Sequence, residues 1–145
     1  MNKLYYIAFM LTIFTTSQSA LAEDFANIIS QRQQSFKAIE IFFDNFEEPD
    51  SDIEWQIINK ESAKLAKATQ QLPNLFPIGS DKNSKSKEKI WDNKQDFNIR
   101  LDKLNSAFNN IQQATQEKNQ QLLIENYKLA KSSCNSCHRK YRSLW

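Results

Sequence analysis

Apolar side chains recur along this chain at intervals of three, four and seven residues, the spacing that lines one face of an α-helix. Between about Glu23 and Glu47 the stripe is Phe25, Ile28, Ile29, Phe36, Ile39, Phe43 and Phe46. Glu48-Pro49-Asp50-Ser51 ends it, and Asp50 or Ser51 is suited to cap the next helix. A second stripe of Trp55, Ile58, Leu65, Ala68 and Leu72 runs from about Asp52 to Leu72 and stops at Pro73. Leu75 to Ser80 reads as a compact loop with apolar anchors, followed by polar residues to about Lys87. From about Glu88 to Thr115, Ile90, Lys94, Phe97, Leu101, Leu104, Phe108 and Ile111 alternate four and three apart, with a polar lapse at Lys94. Leu123, Tyr127, Ala130, Cys134, Cys137 and Tyr141 follow the same rule from about Glu117 to Arg142. Four such segments on short connections predict an all-α, antiparallel four-helix bundle. One Gly and three Pro are too few for the many tight turns of a strand-rich fold, which agrees.

The first residues follow another pattern. Lys3 precedes an apolar run from Leu4 to Phe14, and Ala20-Leu21-Ala22 forms a small-residue cleavage site, so residues 1–22 read as a cleavable secretory signal peptide. The run is shorter than the roughly 20 residues that span a bilayer, so no stable membrane anchor is expected after cleavage. Residues 23–145, about 123 in number, suffice for one domain with one core. The expected location is the periplasm. In the whole chain 19 Lys and Arg face 17 Asp and Glu, and losing Lys3 brings the balance closer still. That gives no electrostatic footprint for nucleic acid. Lys82 to Lys94 is locally lysine-rich but broken by Glu88 and Asp92, with Asp81 just before it, and reads as a solvated linker and helix start.

The chemistry is concentrated near the C-terminus. Cys134-Asn135-Ser136-Cys137-His138 is C-x-x-C-H, the attachment signature of a c-type haem. On a helix its three functional residues lie at i, i+3 and i+4 and face one way. Two thiols can then form thioethers with the two haem vinyl groups while the His138 imidazole reaches the iron. A zinc site would want four ligands, and the Cys and His of the whole chain supply three. A thioredoxin-like dithiol would follow a strand, and no strand pattern is present. The expectation is one covalently attached haem c per chain, bound through Cys134 and Cys137 with His138 on the metal. Both methionines, Met1 and Met10, lie in the signal segment, and His138 is the only His.

A helical bundle with C-x-x-C-H near the end of its last helix resembles cytochrome c′ and its close relatives. The longer string Cys134 to Arg142, C-x-x-C-H-x-x-Y-R, is typical of that family. Arg32-Gln33-Gln34-Ser35-Phe36-Lys37 is similar to its first-helix segment, and Leu75 to Ser80 followed by Ile90-Trp91 and Phe97 to its loop and third-helix entry. Some members place a Met in the first helix as sixth iron ligand; others place a non-coordinating apolar residue there and are five-coordinate. The matching position here is Phe36, so the resemblance implies five-coordinate iron that binds NO and CO and undergoes one-electron redox. The competing reading is an electron-transfer cytochrome with a sixth protein ligand, for which Lys, Tyr or the new amino terminus are the candidates. Lys and Tyr are poor ligands at neutral pH because each must lose a proton with a pKa near about 10. The resemblance further implies that Arg32 and Gln33 sit near the haem propionates and Arg142 beside the proximal face. Trp91 and Phe97 are expected to line the haem pocket, although core packing explains them as well. A homodimer through the first two helices is suggested, with Ile41, Phe42 or Ile57 available for the interface or the core. No enzyme activity is expected: there is no distal His, and Phe36 cannot act as a general acid or base. The redox partner is not legible in the sequence.

Overall fold

The computed structural model describes residues 16–46 and 53–143, with side chains from Phe25 onward. The apolar run Leu4 to Phe14 and the Glu48-Pro49-Asp50-Ser51 connection lie outside the described residues. Helices are α1 (Thr16–Asn45), α2 (Trp55–Gln71), the single turn α3 (Lys89–Asp92), α4 (Lys94–Glu117) and α5 (Gln120–Tyr141). A 3-10 turn, Leu72–Leu75, follows α2. The four long helices form the bundle. No described helix is long and apolar enough to cross a membrane.

The stripes of the last three segments are largely buried, whereas in the first only Ile29 and Ile39 are buried and Phe25, Ile28, Phe36, Phe43 and Phe46 are half-buried. α1 is already helical at Thr16, the first described residue and ahead of the expected Glu23. α2 starts at Trp55 with Glu54 in the capping position, and Glu54 makes no side-chain cap; the expected cap residues Asp50 and Ser51 lie outside the described residues. Pro73 does not end the chain's coiling but sits at the start of the 3-10 turn, where its missing N–H is harmless. The third segment is broken at Asn93, whose φ of −125° and ψ of 44° leave the helical region and separate α3 from α4. The α4–α5 connection is tight. Lys118 takes the left-handed conformation at φ 52°, Asn119 N donates back to Ala114 O at 2.9 Å, and the Asn119 side chain caps α5 by accepting from Leu122 N at 3.1 Å.

Helix α4 is central, packed between α2 and α5. Ala107, Phe108, Ile111 and Ala114 on α4 are fully buried, as are Leu123 and Ala130 on α5. The small alanines let neighbouring helices approach, and the large residues fill the space between. α1 closes this core through Phe42, whose ring centroid lies 5.6 Å from Phe108, and through Phe43, 5.2 Å from Tyr127. Tyr127 also donates its hydroxyl proton to Phe46 O, tying α5 to the end of α1. Phe42 therefore completes the core, whereas Ile41 and Ile57 stay exposed. A second, smaller cluster of Leu72, Phe76, Ile90, Phe97, Leu101 and Tyr141 lies at the other end of the bundle.

Candidate functional site

A cavity of about 760 Å³ opens between α1, the loop after the 3-10 turn, α4 and the last turns of α5. It falls in the size range of cofactor sites, about 300–1,000 Å³. α5 brings Cys134, Cys137 and His138 to it together, because an unbroken helix from Gln120 to Tyr141 keeps i, i+3 and i+4 on one face. Both cysteines are free thiols. Burial pushes each above its ordinary pKa. Burial acts in the opposite sense on His138, holding the imidazole below its ordinary value with help from the Arg142 charge, against a smaller pull from Glu40. A neutral imidazole at pH 7 keeps the lone pair that a metal needs.

The apolar wall comes from the other elements. Phe36 and Ile39 project from α1, Phe76 from the loop, and Phe97, Leu101 and Leu104 from α4. Phe36 meets Phe76 edge-on at 6.5 Å, and Phe76 meets Phe97 edge-on at 4.7 Å. Phe76 is held in place by two cations. The Arg32 guanidinium lies 4.5 Å from its ring centroid and the Lys94 ammonium 5.6 Å. Lys94 also donates to Phe76 O at 3.1 Å, which accounts for the polar lapse in the α4 stripe. Gly79 supports the loop by adopting φ 88°, a conformation that disfavours other residues.

Arg32 is 3 % exposed, and its two terminal nitrogens are engaged by the loop. Nη1 donates to Leu75 O at 2.9 Å and to Ser80 Oγ at 2.8 Å, and Nη2 donates to Ser80 O. Desolvation lowers its pKa to about 10, partly countered by Asp81. Gln33 and Arg142 are exposed at the cavity rim. Trp91 is not among the lining residues. Its indole N–H donates to Phe76 O and Pro77 O, at 3.1 and 2.9 Å, so it braces the loop from behind.

A polar knot fixes the last turn of α5. The Asp96 carboxylate on α4 accepts from Arg100 Nε at 2.8 Å, from Lys140 Nζ at 2.9 Å and from the Tyr141 hydroxyl. These bonds, from Arg100 first, then Tyr141 and Lys140, hold the carboxyl well below the usual carboxylate range. Arg100 and Tyr141 line the cavity next to the thiols. The sequence carried a signal for this: Asp96 and Arg100 form an i, i+4 pair of opposite charge one residue from the apolar stripe. The contribution of Phe76 had only a weak signal, an aromatic between two prolines in a loop.

The sequence model of cytochrome c′ matches residues 27–142. The chain belongs to the cytochrome c′ family. The match spans the three functional residues of α5, the cavity wall and the loop, so this is a c-type haem protein. Solved structures agree in fold. Cytochrome c prime from Shewanella frigidimarina superposes with a TM-score of 0.73 at 21 % identity, covering 82 % of this chain and 96 % of that one. A nitric oxide complex of a mutant cytochrome c prime from Alcaligenes xylosoxidans gives 0.74 at 14 %, covering 83 % and 97 %. A cytochrome c′ described as having an unusual ligand-controlled dimer dissociation gives 0.72 at 17 %, covering 81 % and 95 %. No curated protein matches the chain at a significant level. The residues present fit a c-type haem: two thiols and one imidazole on a helical face, aromatic and aliphatic walls for a flat apolar ring, and basic side chains at the rim for its carboxylates.

Proposed function

We propose that this cytochrome c′ family member is an exported, periplasmic protein carrying one haem bound through Cys134 and Cys137, with His138 as its only protein iron ligand. Its role is to bind NO and CO at the open distal position and to exchange single electrons, without acting as an enzyme. When bound, the haem supplies an iron that alternates between ferric and ferrous states and accepts a diatomic ligand. The observation that carries the reading is the cavity itself, which gathers the two thiols, the only imidazole and the Phe36 ring around one space.

Phe36 contributes an apolar wall with no hydrogen-bond donor. A bound O₂ gains from a distal donor, whereas NO and CO depend on one less. Two of the candidate sixth ligands that line the cavity, Lys37 and Tyr141, are otherwise engaged, and Lys85 and Lys131 line it as well. Lys37 lines the cavity, but its ammonium is paired with Glu40 at 2.9 Å and its pKa is raised by that partner. Tyr141 is buried and bonded to Asp96, and burial raises its pKa first. These observations favour the gas binder over the carrier with a sixth protein ligand. Exposed Ile41 and Ile57, on the first two long helices, support a homodimer through that face.

The deciding measurement is the optical spectrum of the purified holoprotein. A high-spin or spin-mixed ferric spectrum at pH 7 is expected, and a purely low-spin one would establish a sixth protein ligand. Phe36→Ala should then speed CO binding. Moving a packed ring aside costs on the order of 1–3 kcal/mol, or about 5- to 150-fold. Unchanged CO kinetics would remove Phe36 from the distal wall. Amino-terminal sequencing of the periplasmic fraction should begin at Glu23.

A further inference from the structure

The imidazole that the site needs stands in the weakest part of its helix. His138 lies in the last turn of α5, and Arg142 after that turn is already extended, with φ −110° and ψ 134°. Terminal turns fray most readily, because their carbonyls lack partners further along the helix. Upstream, α5 is anchored in the core through Leu123, Tyr127 and Ala130. Beyond Ala130 it turns Cys134, Cys137 and His138 to the cavity, and the next buried side chain is Tyr141. What holds Tyr141 therefore holds His138, one turn away.

Asp96 supplies that hold. Its Oδ2 accepts from the Tyr141 hydroxyl and from Lys140 Nζ at 2.9 Å. One carboxylate thus grips the residues two and three positions after His138. The carboxylate is itself fixed. Arg100 Nε donates to it at 2.8 Å, and it sits in the first turn of α4, where the helix dipole favours negative charge. α4 is the central helix, so the grip refers the last turn of α5 to the body of the bundle. The Tyr141 ring adds an edge-on contact with Phe97, centroids 5.2 Å apart. A further tether, Lys87 N to Tyr141 O at 3.0 Å, comes from a segment outside the long helices.

Asp96 is not among the cavity-lining residues, so it acts on the site through the turn it grips rather than by contact. A ligand imidazole must direct its lone pair at the metal, and the groups behind it set that direction. A last turn free to fray would offer several directions; a pinned turn offers one.

We propose that Asp96 is the positioning residue for His138, fixing the last turn of α5 so that the imidazole meets the haem iron in a single orientation. The assignment rests on the reading that haem occupies this cavity, and deepens it by naming what sets the protein ligand. The test is resonance Raman spectroscopy of the ferrous holoprotein, read at the iron–histidine stretching band. The wild type should give one band, and Asp96→Asn should shift or broaden it. Amide exchange at Arg142, whose N–H donates to His138 O at 3.0 Å, should speed about tenfold in that variant. Tyr141→Phe deletes one bond but keeps the Asp96 charge and the ring contact. It should move the band the same way by less, and it serves as the test where Asp96→Asn fails to fold. Phe108→Ala loosens the core at the other end of the bundle and should leave the band in place. An unchanged band in Asp96→Asn would overturn the proposal. So would a Phe108→Ala band displaced as far, because loss of stability alone would then account for the shift. A Tyr141→Phe band identical to the wild type would overturn it too, by assigning the effect to the Asp96 charge and not to its grip. A chain without haem gives no band and refutes the underlying reading instead. Arg142 amide exchange on that chain then decides the role of Asp96: faster exchange in Asp96→Asn supports the grip, and equal exchange overturns it.

Discussion

Replacing Arg32 by Met separates the two large opposing terms at the loop that carries Phe76. The guanidinium makes three hydrogen bonds to the loop, to Leu75 O, Ser80 Oγ and Ser80 O. Hydrogen bonds to a charged group are worth about 1.5–3 kcal/mol each, or about 5–9 kcal/mol for the three together. Against this stands burial of the charge. A pKa lowered from 12.5 to about 10 corresponds to about 3 kcal/mol, at about 1.36 kcal/mol per tenfold change in proton affinity. Part of the loss is also recovered, because the Ser80 hydroxyl keeps its own bond to Pro77 O at 2.9 Å. The bonds win, and Arg32→Met should destabilise the holoprotein by about 2–4 kcal/mol. With an unfolding entropy of about 2.1 cal/mol/K per residue, a domain of about 123 residues should lose roughly 8–15 °C in Tm. Thermal unfolding by circular dichroism measures this, and Arg32→Lys should recover only part, since an ammonium cannot span Leu75 and Ser80 as a planar fork does. A Met variant that melts with the wild type or above it would mean that the desolvation term matches the bonds. The loop would then be held by Trp91 and Lys94 alone.

Changing both Cys134 and Cys137 to Ala should abolish covalent haem, read as an intact mass equal to the mature polypeptide and haem that extracts into acid acetone; haem resisting extraction in that variant would refute thioether attachment. Phe108→Ala removes a fully buried ring packed 5.6 Å from Phe42 and should cost about 3–5 kcal/mol in denaturant unfolding; a loss below about 1 kcal/mol would mean that the core collapses around the gap. Asp96 has a folded pKa below its unfolded value of about 3.9. Its contribution is therefore present above about pH 4 and is lost as pH falls further, through the folded value. The Tm difference between wild type and Asp96→Asn should accordingly be largest near neutral pH and shrink toward pH 2 or so; a difference that stays constant or grows on acidification would contradict the Asp96 network.

The apolar rhythm alone determined that this chain is a helical bundle. Burial of a stripe at intervals of three and four is the only way such a sequence removes its apolar surface from water. The attachment motif was equally local. Cys134, Cys137 and His138 lie within five residues of one helix, so their common face follows from helical geometry without any tertiary contact. That Phe36, Ile39 and Phe43 share the cavity wall follows from their spacing of three and four on α1. Helix ends were less legible. The break at Asn93 and the start of α2 at Trp55 depend on how the chain is held elsewhere, not on a strong local stop signal.

What lies near what across the bundle was decided only by the tertiary structure. Arg32 and Ser80 are 48 residues apart, Asp96 and Tyr141 45, and Lys85 and Ser143 58. No periodicity relates such pairs, because each depends on a crossing of elements whose loops set the geometry. Arg32 read only as a residue beside the haem, and the fold makes it a buried clamp on the loop as well as a cavity-lining side chain. Trp91 read as a pocket residue, and the single turn α3 directed its indole to the back of the loop. The lysine-rich stretch after the loop, too, read as a solvated linker in the sequence. Only the pairing of Ser86 with Arg142 brings its lysines beside the arginines that follow the attachment motif. A one-dimensional pattern specifies which face of each helix is buried. The long-range hydrogen bonds, made when the faces meet, specify which charges end up together.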